Sequence, residues 1–129
     1  MELPLRAALI GWLAGDAALA GQLNAITEEA PAFTSLPWLA ISASASVDWS
    51  TKTETGYESR IAFELHVRAD QPGNAAPLVA AIQAALAAMP RAQAGFTIIG
   101  LQFMRQRAEQ LTETTRTVLL EYRFRTIAG

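Results

Sequence analysis

The sequence predicts a single α+β domain over residues 1–129: an antiparallel-rich four-stranded sheet with helices on one face, in the order α-β-β-α-β-β. Three observations carry that expectation. Apolar residues recur at helical spacing near the N-terminus and again between Asn74 and Met89. Elsewhere they alternate at period two, as strands with one buried face do. Clusters of Gly, Pro, Asp and Asn mark the changeovers.

The opening helix has Pro4 in its first turn, and Leu5, Leu9, Trp12 and Leu13 form its apolar stripe. Gly15 breaks it, and Asp16 can cap a short second piece carrying Leu19 and Leu23. Asn24 to Pro37 is turn-rich and acidic, which predicts a surface connection. Trp38 to Val47 alternates small residues, with Leu39, Ile41, Ala43 and Ala45 expected on one face and Trp38, Ala40, Ser42 and Ser44 on the other. A strand of such small side chains suits close approach by a neighbour. The polar run Asp48 to Gly56, interrupted by Trp49, predicts a long hairpin tip.

The next strand is the clearest. Ile61, Phe63, Leu65 and Val67 point one way, and Arg60, Glu64, His66 and Arg68 the other. Asp70-Gln71-Pro72-Gly73-Asn74 reads as a turn with Asn74 as helix cap. The helix that follows buries Leu78, Ile82, Leu86 and Met89 and ends at Pro90. Thr97 to Arg107 and Thr115 to Ile127 read as two long strands joined by a Gln110–Thr114 turn. In the last strand Val118, Leu120, Tyr122 and Phe124 share one face, and Glu121, Arg123 and Arg125 the other.

Composition narrows the function. Apolar residues are 51% of the chain, although 26 of its residues are Ala, and charged residues only 17%. So lean a charged coat implies that part of the surface is covered by something else. A net charge of −2, from 10 cations and 12 anions, argues against a general nucleic-acid coat. The charge is uneven: residues 1–90 hold four cations and nine anions, residues 91–129 six cations and three anions. The absence of Cys excludes disulfides and thiolate metal sites, and a single His excludes a multi-histidine site. Neither the start Met1-Glu2-Leu3-Pro4 nor the proline-bounded stretch Gly73–Pro90 suits a secretory signal or a membrane span. A soluble protein made inside the cell is expected.

Catalytic constellations are weak, and no catalytic residue, metal site or cofactor is expected. Ser59, His66 and Asp70 are the only residues worth testing as a triad, and His66 reads as a half-exposed strand histidine. Glu28 and Glu29 are adjacent, so their side chains diverge, and Gly11 and Gly15 lack the Lys and Ser/Thr of a phosphate loop. More informative are Arg105 with Arg107 and Arg123 with Arg125, two same-face pairs on neighbouring strands that form a potential cationic band. The plainer reading has Glu64, Glu109 and Glu121 neutralising them, each pair worth ~0.2–1 kcal/mol. Residues 74–90 carry no charge, so the helix there is either covered on a second face by a neighbouring subunit or simply shows alanines to water. Trp49 at a polar tip is the residue type that anchors protein interfaces.

Asp48-Trp49-Ser50-Thr51-Lys52-Thr53, Gly56-Tyr57-Glu58 and Phe63-Glu64-Leu65-His66-Val67 resemble the tail-terminator (tail-completion) family of long-tailed phages and gene transfer agents. So do the strand opening Pro37-Trp38-Leu39-Ala40-Ile41, the Ala-rich helix and the closing Val118–Arg125 strand, in the same order along nearly the whole chain. The resemblance implies a non-enzymatic virion protein: a hexameric homo-oligomeric ring at the head-proximal end of a tail, assembled in the host cytoplasm. Such a ring caps the tail tube protein, stops its polymerisation and meets the head–tail connector protein, while DNA passes through its lumen without sequence-specific binding and no membrane is involved. From the residues themselves, Asp48, Trp49, Lys52, Glu54, Arg105, Arg107, Arg123 and Arg125 are the expected subunit or tail-tube contacts. The alternatives are a head–tail connector or stopper component and, from another class, a small ligand-binding or accessory enzyme domain around His66.

Overall fold

The computed structural model describes residues 1–129, the Pro72 side chain apart. Helix α1 (Glu2–Ala14) is followed by the single turn α2 (Ala17–Ala20), which Asp16 caps by accepting from Leu19 N at 3.1 Å. Then come β1 (Ile26–Thr27), β2 (Trp38–Asp48), β3 (Gly56–Arg68), helix α3 (Ala75–Ala87), β4 (Ala92–Gln93), β5 (Phe96–Gln110) and β6 (Thr115–Ala128). The class is α+β as expected, but the sheet has six strands rather than four, in the order β1-β2-β3-β6-β5-β4. The additions are two-residue strands at either edge. β1 lies parallel to β2 inside the stretch expected to be a connection, and β4 follows Pro90. Two residues carry no periodicity, so nothing in the sequence could mark them.

α1, α2 and α3 cover one face of the sheet. Leu5, Leu9, Leu13 and Leu19 from the first two helices and Leu78, Ile82 and Leu86 from α3 meet Leu39, Ile41, Ile61, Phe63, Leu65, Val118, Leu120 and Phe124. Trp12 belongs to the edge of this layer: its indole N–H donates to Ala85 O at 2.6 Å while the ring stays partly exposed. The outward residues of α3 (Ala76, Pro77, Ala80, Ala84 and Ala87) are all uncharged. Asn74 does not cap α3 through its side chain, because its amide donates instead to Gln71 Oε1 at 3.0 Å.

Strand β2 departs from simple alternation. A bulge between Ile41 and Ala43 inserts one residue, so the helix-covered face runs Leu39, Ile41, Ser44, Ser46 and the open face gains Ala43 and Ala45. Ser44 Oγ accepts from Arg6 at 2.7 Å and donates to Glu2 at 2.8 Å, and Ser46 bonds the fully buried Ser59 at 2.7 Å. Ala43 and Ala45 therefore lie opposite the face expected of them. β5 runs three residues beyond the expected end and carries bulges at Ile99 and Met104.

Candidate assembly surface

On the helix-free face, period-two alternation brings Glu58, Arg60 and Glu64 of β3 beside Glu121, Arg123 and Arg125 of β6 and Arg105, Arg107 and Glu109 of β5. Both arginine pairs do share this face. They form a ladder rather than a bare cationic band, since each of these arginines has a carboxylate partner. Glu121 takes Arg105 at 3.1 Å and Arg60 at 3.6 Å, and Glu109 takes Arg107 at 3.1 Å. Glu58, which the sequence reading did not single out, holds Arg125 at 3.0 Å and Arg123 at 3.8 Å. Its position two residues before Arg60 is the signal that would have found it. Arg123 also donates to Gln102. Neutralisation accounts for these arginines, although Glu64 is not one of the partners: it is engaged by His66.

At one end of this ladder stands the β2–β3 hairpin. Asp48 Oδ1 accepts from Ser50 Oγ at 2.6 Å, and Trp49 N–H donates to Gly56 O at 2.8 Å. Thr51 N–H donates to Glu54 O at 2.9 Å, and Glu54 N–H returns to Thr51 Oγ1 at 3.1 Å, which fixes the tip. Lys52 and Glu54 are exposed there. The Trp49 ring lies under the Arg125 guanidinium, 4.8 Å from its centroid, and keeps 38% of its surface exposed. Gly56 is required at this corner, because a Cβ there would stand 2.9 Å from Trp49 O and 3.1 Å from Ile127 Cδ1. Of the eight expected contact residues, the fold joins Trp49, Arg125 and Arg123, through the Trp49–Arg125 contact and their shared Glu58, whereas Asp48 pairs with Tyr57 and faces the helix side. Arg105 and Arg107 lie further along the ladder, and Lys52 and Glu54 at the tip.

Several exposed apolar side chains lay outside the expected set: Phe33, 99% exposed in the β1–β2 connection, Val47 on β2, and Phe103 on β5. Phe33 between Pro31 and Pro37 was visible as an aromatic in a turn-rich segment.

His66 is buried, not half-exposed: only 7% of it meets solvent, because Trp38 stacks on it at 3.8 Å and 11°. Its Nε2 bonds Glu64 Oε1 at 2.6 Å beside a cleft of about 290 Å³ lined by Glu29, Trp38, Ala40, Ser42, Glu64 and His66. The tested triad is not assembled. Ser59 lies on the opposite face of β3, and Asp70 forms a two-point pair with Arg68 at 3.1 Å. That pairing pulls the Asp70 carboxyl below its usual range and raises Arg68. Ser42 Oγ turns to Ala62 O. Among the described residues no cluster of three metal-ligating side chains occurs, and no helix is long and apolar enough to cross a membrane.

The sequence profile of the family described as tail completion protein gp17 matches residues 7–127. A solved structure titled "Virion of native gene transfer agent (GTA) particle" contains a chain of the same fold, with a TM-score of 0.79 at 24% identity. The alignment covers 98% of this chain and 96% of that one. No curated protein matches the sequence.

Proposed function

We propose that this chain, which belongs to the tail completion protein gp17 family, acts by assembly: copies close into a ring of six that caps the tail tube, ends its polymerisation and meets the head connector. The observation that carries this reading is the family match across residues 7–127, which takes in β2, β3, β5 and α3 whole, β6 but for its last residue, and α1 from Ala7 onward. The uncharged outer face of α3 and the half-exposed Trp49 support it, since each is a surface that a second copy could cover. A ring of this kind uses a heterologous contact, one patch meeting a different patch, and closes by rotation. The hairpin with Asp48, Trp49, Lys52 and Glu54 is one half of that contact in this reading.

The arginine ladder faces the channel. Phosphate-binding proteins leave arginines free for the duplex, whereas here Arg60, Arg105, Arg107, Arg123 and Arg125 each have a carboxylate within 4 Å. DNA then passes without being gripped. The ring sits at the head-proximal end of the tail in this account.

Trp49→Ala tests it. The expected result is loss of ring assembly with a small change in monomer melting, because the Trp49 indole lies outside the buried core and packs at the surface beneath Arg125. Undiminished assembly, or a monomer that unfolds, contradicts the role given to Trp49.

A further inference from the structure

Two strands leave their outer edges open on opposite sides of the molecule. β1 covers β2 only at Leu39 and Ala40, and β4 covers β5 only as far as Ile98. Past their bulges, Ala43–Asp48 of β2 and Arg105–Gln110 of β5 are regular runs of equal length with no outer neighbour among the described residues. Open edges of this kind are templates for pairing, and monomeric proteins usually block them with Lys, Pro or a bulge. The β2 run Ala43-Ser44-Ala45-Ser46-Val47 contains none of these.

We infer that the copies of the proposed ring join by continuing the sheet, the β2 edge Ala43–Asp48 of one copy pairing antiparallel with the β5 edge Arg105–Gln110 of the next. The inference rests on the ring reading and adds which surfaces meet. Strand direction allows it: β2, β3, β6 and β5 alternate, so the two edges run oppositely, and rotation about a ring axis along the strands preserves direction.

The backbone donors also match. Trp49 N–H points inward to Gly56, so alternation turns the N–H groups of Ser44, Ser46 and Asp48 outward. Leu111 N–H points inward to Thr115, which turns those of Gln106, Ala108 and Gln110 outward. Ser44, Ser46, Gln106 and Ala108 all lie on the helix side of the sheet, so the joined ladder keeps the helices of both copies on one side.

Size and charge select a copy of this chain as the occupant. The β2 run is small and uncharged until Asp48, whereas the β5 run Arg105-Gln106-Arg107-Ala108-Glu109-Gln110 is long-chained at every position but Ala108. Glu28 and Glu29 are held by Arg6, which leaves Asp48, Glu54 and Lys52 at the end of the first edge with one net negative charge, and Arg105, Arg107 and Glu109 on the second with one net positive charge. The two edges are therefore complementary in net sign.

The chain has no cysteine, so paired substitutions give a clean test. One cysteine replaces Ala43, Ala45 or Val47 and another Arg105, Arg107 or Glu109, all exposed on the helix-free face. A disulfide needs Cα atoms within roughly 7 Å, so only facing positions link. Mild oxidation should convert at least one paired variant into a ladder of linked multimers, with single-cysteine variants unlinked. Rings that form while no pair links would overturn the inference and leave the ring reading standing. Links in a single-cysteine variant would mean that like edges meet, which also overturns it. Failure of the unsubstituted chain to assemble would sink both. As a second measurement, hydrogen exchange at Ser44, Ser46, Gln106 and Ala108 should slow by about tenfold or more in the assembled form. Unchanged exchange in an assembled ring refutes the pairing.

Discussion

The two faces of the sheet are built from the same strands and do different work. On the covered face, Ile61, Phe63, Leu65, Leu120 and Phe124 are wholly buried, and the dispersion and burial that hold the domain together are concentrated there. On the open face the same strands carry Glu58, Arg60, Glu121, Arg123 and Arg125, in pairs that exposed measurements put at ~0.2–1 kcal/mol each. Weak, replaceable contacts can be rearranged when another molecule arrives, whereas a packed core cannot. Substitutions on the covered face should therefore act on folding and those on the open face on assembly.

The largest effect belongs to the covered face. Phe63→Ala should cost about 3–5 kcal/mol, read as a fall in the denaturation midpoint of the monomer. A small loss would mean that the helices do not seal this face. Gly56→Ala joins the two regions, since its Cβ meets the Trp49 carbonyl and Ile127. It should lower stability by about 1–3 kcal/mol and also impair assembly by displacing the hairpin, so wild-type assembly in this variant breaks the link between corner and hairpin.

Reversing Arg123 and Arg125 to Glu sets both beside Glu58. The monomer should lose about 1 kcal/mol while assembly weakens most at low salt, and the deficit should shrink as salt rises. Equal assembly at low salt would deny the ladder any role in assembly. The smallest effect is set by pH. Burial raises the Tyr122 phenol above its ordinary 10.0, so the unfolded chain ionises first. The associated stability is present below pH 10 and drains away as pH climbs toward the folded value; Tyr122→Phe should flatten that slope in alkaline melts. An unaltered slope would assign it to other groups.

The sequence displayed the long elements well, because Ile61–Val67 and Leu78–Met89 hold an unbroken period against one buried face. It failed where the chain changes period. The bulge after Ile41 reversed the faces of Ala43 and Ala45, and a single inserted residue leaves no compositional mark. β1 and β4 are too short to alternate. Burial of His66 depends on Trp38 pairing across from it, a register the sequence does not display. At the candidate site, the shared face within each arginine pair was legible from spacing alone, while strand pairing put both pairs on the same side of the sheet. Of their partners, Glu109 and Glu121 were expected, whereas Glu58 was not, because it is matched to Arg123 and Arg125 through strand pairing.

The central claim is that the domain works as one of several identical copies. Light scattering on the purified chain over rising concentration, with negative-stain images of the same samples, measures this most directly. The account predicts a discrete closed ring of six. A species that stays monomeric at every concentration reached would contradict it.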